Sequence, residues 1–225
     1  MLTLLDKITG LIAPHECLGC GFEGKLLCPA CISLLPDTVP RCYRCSSTKL
    51  GDKTCAMCRK HSPLEYVRVC TIYEGVVETL IHRMKFERAL AGAETVAQTM
   101  ALLHGNSLPE GVVLVPVPTA TSRVRQRGYD QSVQIARHLA LLTDRRFEGA
   151  LVRYGQQRQT GSSRRDRQKQ IDGAYGVRKQ KLAGISSAVL VDDVLTTGAT
   201  LEAAARTLRR TGVKHVSALV FARAE

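Results

Sequence analysis

Ala188-Val189-Leu190-Val191-Asp192-Asp193-Val194-Leu195-Thr196-Thr197-Gly198-Ala199-Thr200 decides how this chain is read. Its apolar start, Ala188 to Val191, predicts a short buried strand of the kind used in parallel sheets. Two adjacent carboxylates follow, then a small hydroxyl-rich turn, then a pattern from Leu201 to Arg210 that predicts a helix. Ligands of open α/β sheets bind just beyond the carboxyl ends of strands. A helix N-terminus placed there offers unpaired N–H groups and the positive end of the helix dipole to an anion. Thr196, Thr197 and Thr200 can add hydroxyl donors, and Gly198 lets the backbone bend close to a ligand. One helix start needs one cap, whereas this stretch holds two carboxylates and three threonines. Carboxylates beside an anion cradle make sense if they accept from sugar hydroxyls or help to hold Mg2+. The turn has no Lys and the chain has no G-x-x-x-x-G-K-[ST], which argues against a nucleoside triphosphate loop. The stretch therefore predicts a ribose-phosphate site.

Outward from it, strands and helices alternate. Val67 to Tyr73, Val112 to Val117 and His215 to Phe221 read as strands, with a weak strand at Ala150 to Arg153. Val76 to Met84, Ala89 to Leu103 and Gln131 to Leu142 read as helices, the last with Asp130 as N-cap. This alternation predicts an α/β fold with a mainly parallel sheet and flanking helices. With 225 residues, the chain has room for one such domain, 63–225, and a small module at 1–62. Met1 to Pro14 shows helical apolar spacing interrupted by Asp6 and Lys7, which suits a short amphipathic helix better than a secretory signal.

The leading module is set by its cysteines. Eight of nine fall into Cys-x2-Cys pairs: Cys17/Cys20, Cys28/Cys31, Cys42/Cys45 and Cys55/Cys58, with gaps of 7, 10 and 9 residues. Two thiolates two residues apart can grip one face of a Zn2+ ion, and two such knuckles complete a tetrahedral site. Four knuckles predict two structural zinc ions. Sequential pairing needs the shortest loops, and a cross-braced pairing is the alternative. A disulfide framework would need an oxidising compartment, to which nothing here directs the chain. Cys70 lies in an apolar run and reads as a buried strand residue. Gly19 to Gly24 matches G-x-G-x-x-G, but it contains Cys20 and precedes another cysteine pair, so it does not read as a dinucleotide loop.

With these residues in view, Val191 to Thr200 resembles the 5-phosphoribosyl-1-pyrophosphate (PRPP) signature of type I phosphoribosyltransferases. Together with the four knuckles, the chain from about Cys17 onward resembles the ComF family of competence-associated, phosphoribosyltransferase-like proteins. That resemblance implies that Asp192 and Asp193 contact ribose hydroxyls. It likewise implies that Val191 and Thr196, Thr197, Gly198, Ala199 and Thr200 help to hold PRPP, the last five around its 5-phosphate. It implies Mg2+ with the ligand, and a link to DNA uptake with protein partners there.

Further candidates follow. Val115-Pro116-Val117-Pro118 leads into a loop with Arg123, Arg125 and Arg127, then Gly128-Tyr129-Asp130-Gln131. Arginines at a strand end suit a pyrophosphate. The stretch resembles the family's Arg-Gly-Phe-Asn-Gln, making Arg127 and Gly128 the better candidates and Asp130 a poor one. Arg153 to Lys169 is cationic and rich in small residues, as a closing lid would be. The resemblance places Gln159, Arg165 and Arg167 at matching positions, with Gln170 in place of an Asn, and implies a catalytic part for Arg165 and Arg167. Lys85 resembles a family Lys-Phe step and is a candidate phosphate contact.

Net charge is +12, so a polyanion is expected as partner: a phosphorylated small molecule, DNA, or both. Aromatics make up 4% and Trp is absent, which leaves little for stacking on single strands. No apolar run is long enough to span a membrane, and a cytoplasmic protein is expected. Two functions share the pocket: phosphoribosyl transfer to an unknown acceptor, or a non-catalytic PRPP-sensing or nucleic-acid-binding module.

Overall fold

The computed structural model describes residues 15–87, 89–154 and 174–224. The predicted helix at Met1 to Pro14 lies outside them, as do Gln159, Arg165, Arg167 and Gln170 of the proposed lid.

Five parallel strands form the central sheet. They are β1 (Val67–Ile72), β2 (Val113–Pro116), β3 (Arg146–Phe147), β6 (Ser187–Leu195) and β7 (His215–Arg223), in the order β1-β7-β6-β2-β3. Side-chain alternation splits their residues between two cores. Leu114, Val189, Val191, Leu219 and Phe221 face one core. Val113, Val115, Ala188, Leu190, Val216, Ala218 and Val220 face the other. Strands buried on both faces read as continuous apolar runs, which is why β6 and β7 were legible as strands.

Helices α3 (Gly75–Phe86), α4 (Ala89–His104) and α6 (Gln131–Thr143) cover the first face through residues such as Leu80, Met100 and Ile135. Helix α7 (Ala199–Arg210) covers the second through Leu201, Ala204 and Leu208. An antiparallel pair, β4 (Leu151–Arg153) with β5 (Tyr175–Val177), packs on that second face. The weak strand at Ala150 to Arg153 thus pairs outside the main sheet.

Two readings are corrected. The arginine-bearing stretch after β2 is partly helical: α5 spans Thr121–Arg127 and ends at Gly128, whose φ of 78° is the left-handed helix stop. Strand β6 runs past the predicted end at Val191 to Leu195, so Asp192 and Asp193 lie within the strand rather than just beyond it. The reason is pairing with β7, where Asp192 sits opposite Val220 and Val194 opposite Ala222.

The cysteine-rich segment contains two single-turn helices, α1 (Pro29–Ile32) and α2 (Ala56–Arg59). Its first half contributes Cys17, Leu26, Leu27, Cys28, Ile32 and Leu35 to the core under α3, α4 and α6. Its second half contributes Tyr43 to the core under α7. Between them the chain crosses edge strand β1: Thr38 Oγ1 donates to Val69 O at 2.8 Å and Thr71 Oγ1 to Pro36 O at 3.0 Å. The crossing shields a sheet edge that would otherwise be open to pairing.

Candidate functional site

The chain leaves β2 through α5 and α6 toward β3, and leaves its neighbour β6 through α7 toward β7. The two connections depart in opposite directions and onto opposite faces. That divergence opens a crevice at the carboxyl ends of β2 and β6, where ligands of such sheets bind. A cavity of about 370 Å3 lies there. Asp192, Asp193, Val194, Thr196 and Thr200 line one side; Val117 to Ala120 and Arg123 line another; Lys85, Tyr73, Gln131, Arg153 and Ala224 complete it among the described residues.

The two carboxylates are held differently. Asp192 Oδ1 accepts from Ser132 Oγ at 3.1 Å and from the Asp193 N–H at 3.0 Å. Burial, reinforced by the neighbouring Asp193 carboxylate, pushes the Asp192 carboxyl well above its ordinary range. Asp193 Oδ2 lies 2.9 Å from Lys85 Nζ, an ion pair with little solvent exposure. Lys85 comes from the last turn of α3, so an element of the opposite wall neutralises part of the acidic pair.

The turn after β6 has the predicted form. Gly198 is the N-cap of α7 with φ 78°, a left-handed conformation that costs a residue with a Cβ about 1–2 kcal/mol. A Cβ there would also meet Tyr43 Cδ2 at 2.8 Å. Thr197 Oγ1 accepts from the Ala199 N–H at 3.4 Å.

Of the candidates in the β2–α6 segment, Arg127 and Gly128 do not line the cavity. Arg127 donates to Gln131 Oε1 at 3.1 Å and lies over the Phe86 ring at 5.2 Å. Asp130 caps α6, accepting from the Ser132 N–H, and also accepts from the N–H and hydroxyl of Thr119. It therefore orders the loop rather than facing an anion. Arg123 and Arg153 line the cavity although the sequence did not single them out over their neighbours. For Arg123 the signal was weak because a helix, not a loop, aims it. For Arg153 the cause is pairing of β4 with β5, which no local pattern reveals.

The eight paired cysteines gather into two clusters in sequential pairing: Cys17, Cys20, Cys28 and Cys31, then Cys42, Cys45, Cys55 and Cys58. Within each, all Sγ atoms lie within 4.8 Å of one another. Cys20 and Cys28 sulfurs are 3.7 Å apart, and Cys45 and Cys55 sulfurs 3.5 Å. Zinc–thiolate bonds of about 2.3 Å in a tetrahedron put sulfurs roughly 3.8 Å apart, so the donor sets fit this ion. Burial opposes ionisation of Cys17, yet N–H groups of Cys28, Cys20 and Gly19 hold it down at about 6. Cys42 is likewise held at about 6 against burial by N–H groups of Cys55, Cys45 and Arg44. Contacts with Cys17 and Cys20 push Cys31 up to about 12. Four such sulfurs ionise together only with a cation among them. Gly19 belongs to this packing: a Cβ there would meet Cys31 Sγ at 2.7 Å, so the glycine of the G-x-G-x-x-G match serves the knuckle. Cys70 is buried in β1, apart from both clusters.

Comparison with known proteins agrees with this geometry. Residues 114–225, from β2 to the C-terminus, match the phosphoribosyl transferase domain family. Competence protein F of Haemophilus influenzae is 28% identical over 210 residues, covering 88% of this chain and 90% of the relative. Competence protein ComFC of Bacillus subtilis is 26% identical, covering 84% and 90%. DNA utilization protein YhgH of Escherichia coli is 28% identical, covering 78% and 86%. On the matched domain, the relatives spanning most of both lengths and the paired four-cysteine clusters, the chain belongs to the ComF family of competence-associated, phosphoribosyltransferase-like proteins.

Proposed function

We propose that the crevice binds PRPP with Mg2+ and that the protein transfers the phosphoribosyl group to an acceptor. The observation that carries this reading is one cavity with a carboxylate-and-threonine wall at Asp192, Asp193, Thr196 and Thr200 and a cationic wall at Arg123 and Arg153. A ribose 5-phosphate ligand needs both kinds of partner. Asp192 and Asp193 accept from the ribose hydroxyls. The N–H groups of the 196–200 turn, at the start of α7, take the 5-phosphate. Lys85 exchanges its pairing with Asp193 for a phosphate oxygen. Arg123 and Arg153 receive the pyrophosphate, whose negative charge grows as its bond to the ribose carbon breaks. Arg165 and Arg167, outside the described residues, belong to the same proposal as cations for that leaving group. Arg127 and Gly128 close the helix that presents Arg123. Bound Mg2+ would supply further charge neutralisation on the pyrophosphate. Leaving-group stabilisation of this type needs no side-chain nucleophile.

The two cysteine clusters hold structural zinc in this reading. A net charge of +12 and relatives named for competence and DNA utilization support a role in handling incoming DNA, with DNA a candidate partner and the cytoplasm the proposed place.

Thermal unfolding tests the pocket. PRPP with Mg2+ at about 100 times its dissociation constant stabilises the wild type by roughly 2.7 kcal/mol. Asp193→Ala abolishes the shift. Equal shifts in both proteins, or none in either, would overturn the assignment.

A further inference from the structure

The third cysteine knuckle, Cys42/Cys45, reaches into the signature turn. Its two non-ligand residues, Tyr43 and Arg44, stand between Cys42 and Cys45. The Tyr43 ring is buried, and it lies so close to Gly198 that a Cβ there would be 2.8 Å from Cδ2 and 2.9 Å from Cε2. Its hydroxyl donates to Glu202 Oε1 at 2.8 Å. A phenol has one proton, so the 2.5 Å contact with Ser62 Oγ is donated by the serine. Glu202 sits in the first turn of α7, is only 7% exposed, and its own N–H donates to Gly198 O at 2.9 Å. Arg44 Nε lies 3.1 Å from Glu202 Oε1, and Arg206 Nη1 lies 3.2 Å from Oε2.

We infer that Tyr43 is a positioning residue for the phosphate-binding turn, and that the Cys42/Cys45/Cys55/Cys58 site acts through it to set ligand affinity. The inference rests on the PRPP reading for its functional half. The physical logic is short. N–H groups serve an anion only when they are already aimed at it. Gly198 is free to leave its conformation because it lacks a Cβ. A ring pressed on that glycine, anchored to the next helical turn by a buried hydrogen bond, removes the freedom. The ring is in turn fixed at both flanks by residues of one four-cysteine cluster, whose backbone closes through Ser46 N–H to Cys42 O at 2.8 Å. The sulfurs of Cys42, Cys45, Cys55 and Cys58, which could hold a metal ion, would with it keep the clamp in place.

Hydrogen exchange of the ligand-free, zinc-loaded protein tests this without relying on PRPP. Tyr43→Leu should speed exchange of the amides at 196–202 by about tenfold or more while two zinc ions per chain remain. It should weaken Mg2+–PRPP binding by a similar factor. Tyr43→Phe keeps the ring against Gly198 and should fall between Tyr43→Leu and wild type. Leu18→Ala, at the corresponding position of the first knuckle, should leave exchange at 196–202 unchanged. Unchanged exchange in Tyr43→Leu, or equal acceleration in Leu18→Ala, would overturn the inference. Should Tyr43→Leu not fold, Tyr43→Phe and Glu202→Gln decide it by the same exchange measurement, wild-type rates in both being the contrary result. If the wild type itself shows no response to PRPP, the ligand assignment fails, while exchange still decides the clamp.

Discussion

The two cysteine clusters share one ligand spacing and are joined to the protein in opposite ways. In the first, Cys17 and Cys28 are buried beside Leu26, Leu27, Ile32 and Leu35, and this group is continuous with the core under α3, α4 and α6. Leu18, inside its leading knuckle, packs against that core. In the second, Cys42 is buried, Cys45 is exposed, and Cys55 and Cys58 are half-buried. Its leading knuckle attaches through Tyr43, whose ring joins the core under α7, and through the Tyr43 hydroxyl and Arg44, which reach a single carboxylate, Glu202. A metal knuckle constrains its two sulfurs and leaves the two residues between them open to specialise. Here one knuckle carries an aliphatic anchor and the other a phenol that packs on the turn and is held by hydrogen bonds. The first should therefore matter most to stability, and the second to the shape of the crevice.

The sharpest way to break this contrast is to remove one ligand from each cluster. Zinc analysis of the wild type should give two ions per chain. Cys28→Ser leaves a hydroxyl among leucines and opens a site that helps to close the core. It should cost more than about 4 kcal/mol in urea unfolding, enough to lose most of the folded protein. Cys58→Ser should retain one zinc ion and a folded body, with the loss felt at the 196–202 amides. Equal costs for the two would dissolve the distinction between anchor and clamp.

A smaller effect sharpens the clamp itself. Gly198→Ala meets two obstacles, the left-handed φ of 78° and the Tyr43 ring at 2.8 Å. We expect a loss of roughly 2–4 kcal/mol. Only the ring can be removed by a second substitution. In the background of Tyr43→Leu the same change should cost only the backbone part, about 1–2 kcal/mol. Full additivity in that double-mutant cycle would mean that ring and turn are not coupled.

Much of this was legible in the sequence, and the limits have physical causes. Strands β6 and β7 announced themselves because both faces are buried, and α6 because Asp130 is a good cap. The Cys-x2-Cys spacing pointed to two sites, but both sequential and cross-braced pairings satisfied it; tertiary contacts chose the first. Asp192 and Asp193 were read as following a strand that ended at Val191, because the pairing that carries β6 on to Leu195 is supplied by β7. Arg153 was legible only as the first cation of the Arg153 to Lys169 stretch, and Tyr43 was invisible as a site residue. One owes its place to an antiparallel partner 22 residues downstream, where Arg153 pairs with Tyr175. The other reaches Glu202 across a sequence separation of 159. Local patterns carry periodicity and ligand spacing; they carry nothing about which surfaces meet.

The mildest test separates the two arms of the clamp. Arg44 reaches the same oxygen of Glu202 as Tyr43, at 3.1 Å against 2.8 Å. They differ in solvent. The Arg44 side chain is 33% exposed, so water and salt screen its attraction, and holding a long side chain in one rotamer offsets part of what remains. The Tyr43 hydroxyl is in a buried contact where water cannot substitute for the lost donor. Arg44→Ala should therefore cost roughly 0.5 kcal/mol in urea unfolding, shrinking further in high salt. Tyr43→Phe should cost about 1–3 kcal/mol, with little response to salt. Glu202 keeps Arg206 as a partner in either case, so neither change strands a bare carboxylate. A reversal of that order would move the attachment of the second cluster from the buried phenol to the surface ion pair. Ionic strength would then govern the contact, where the geometry of Tyr43 points to packing.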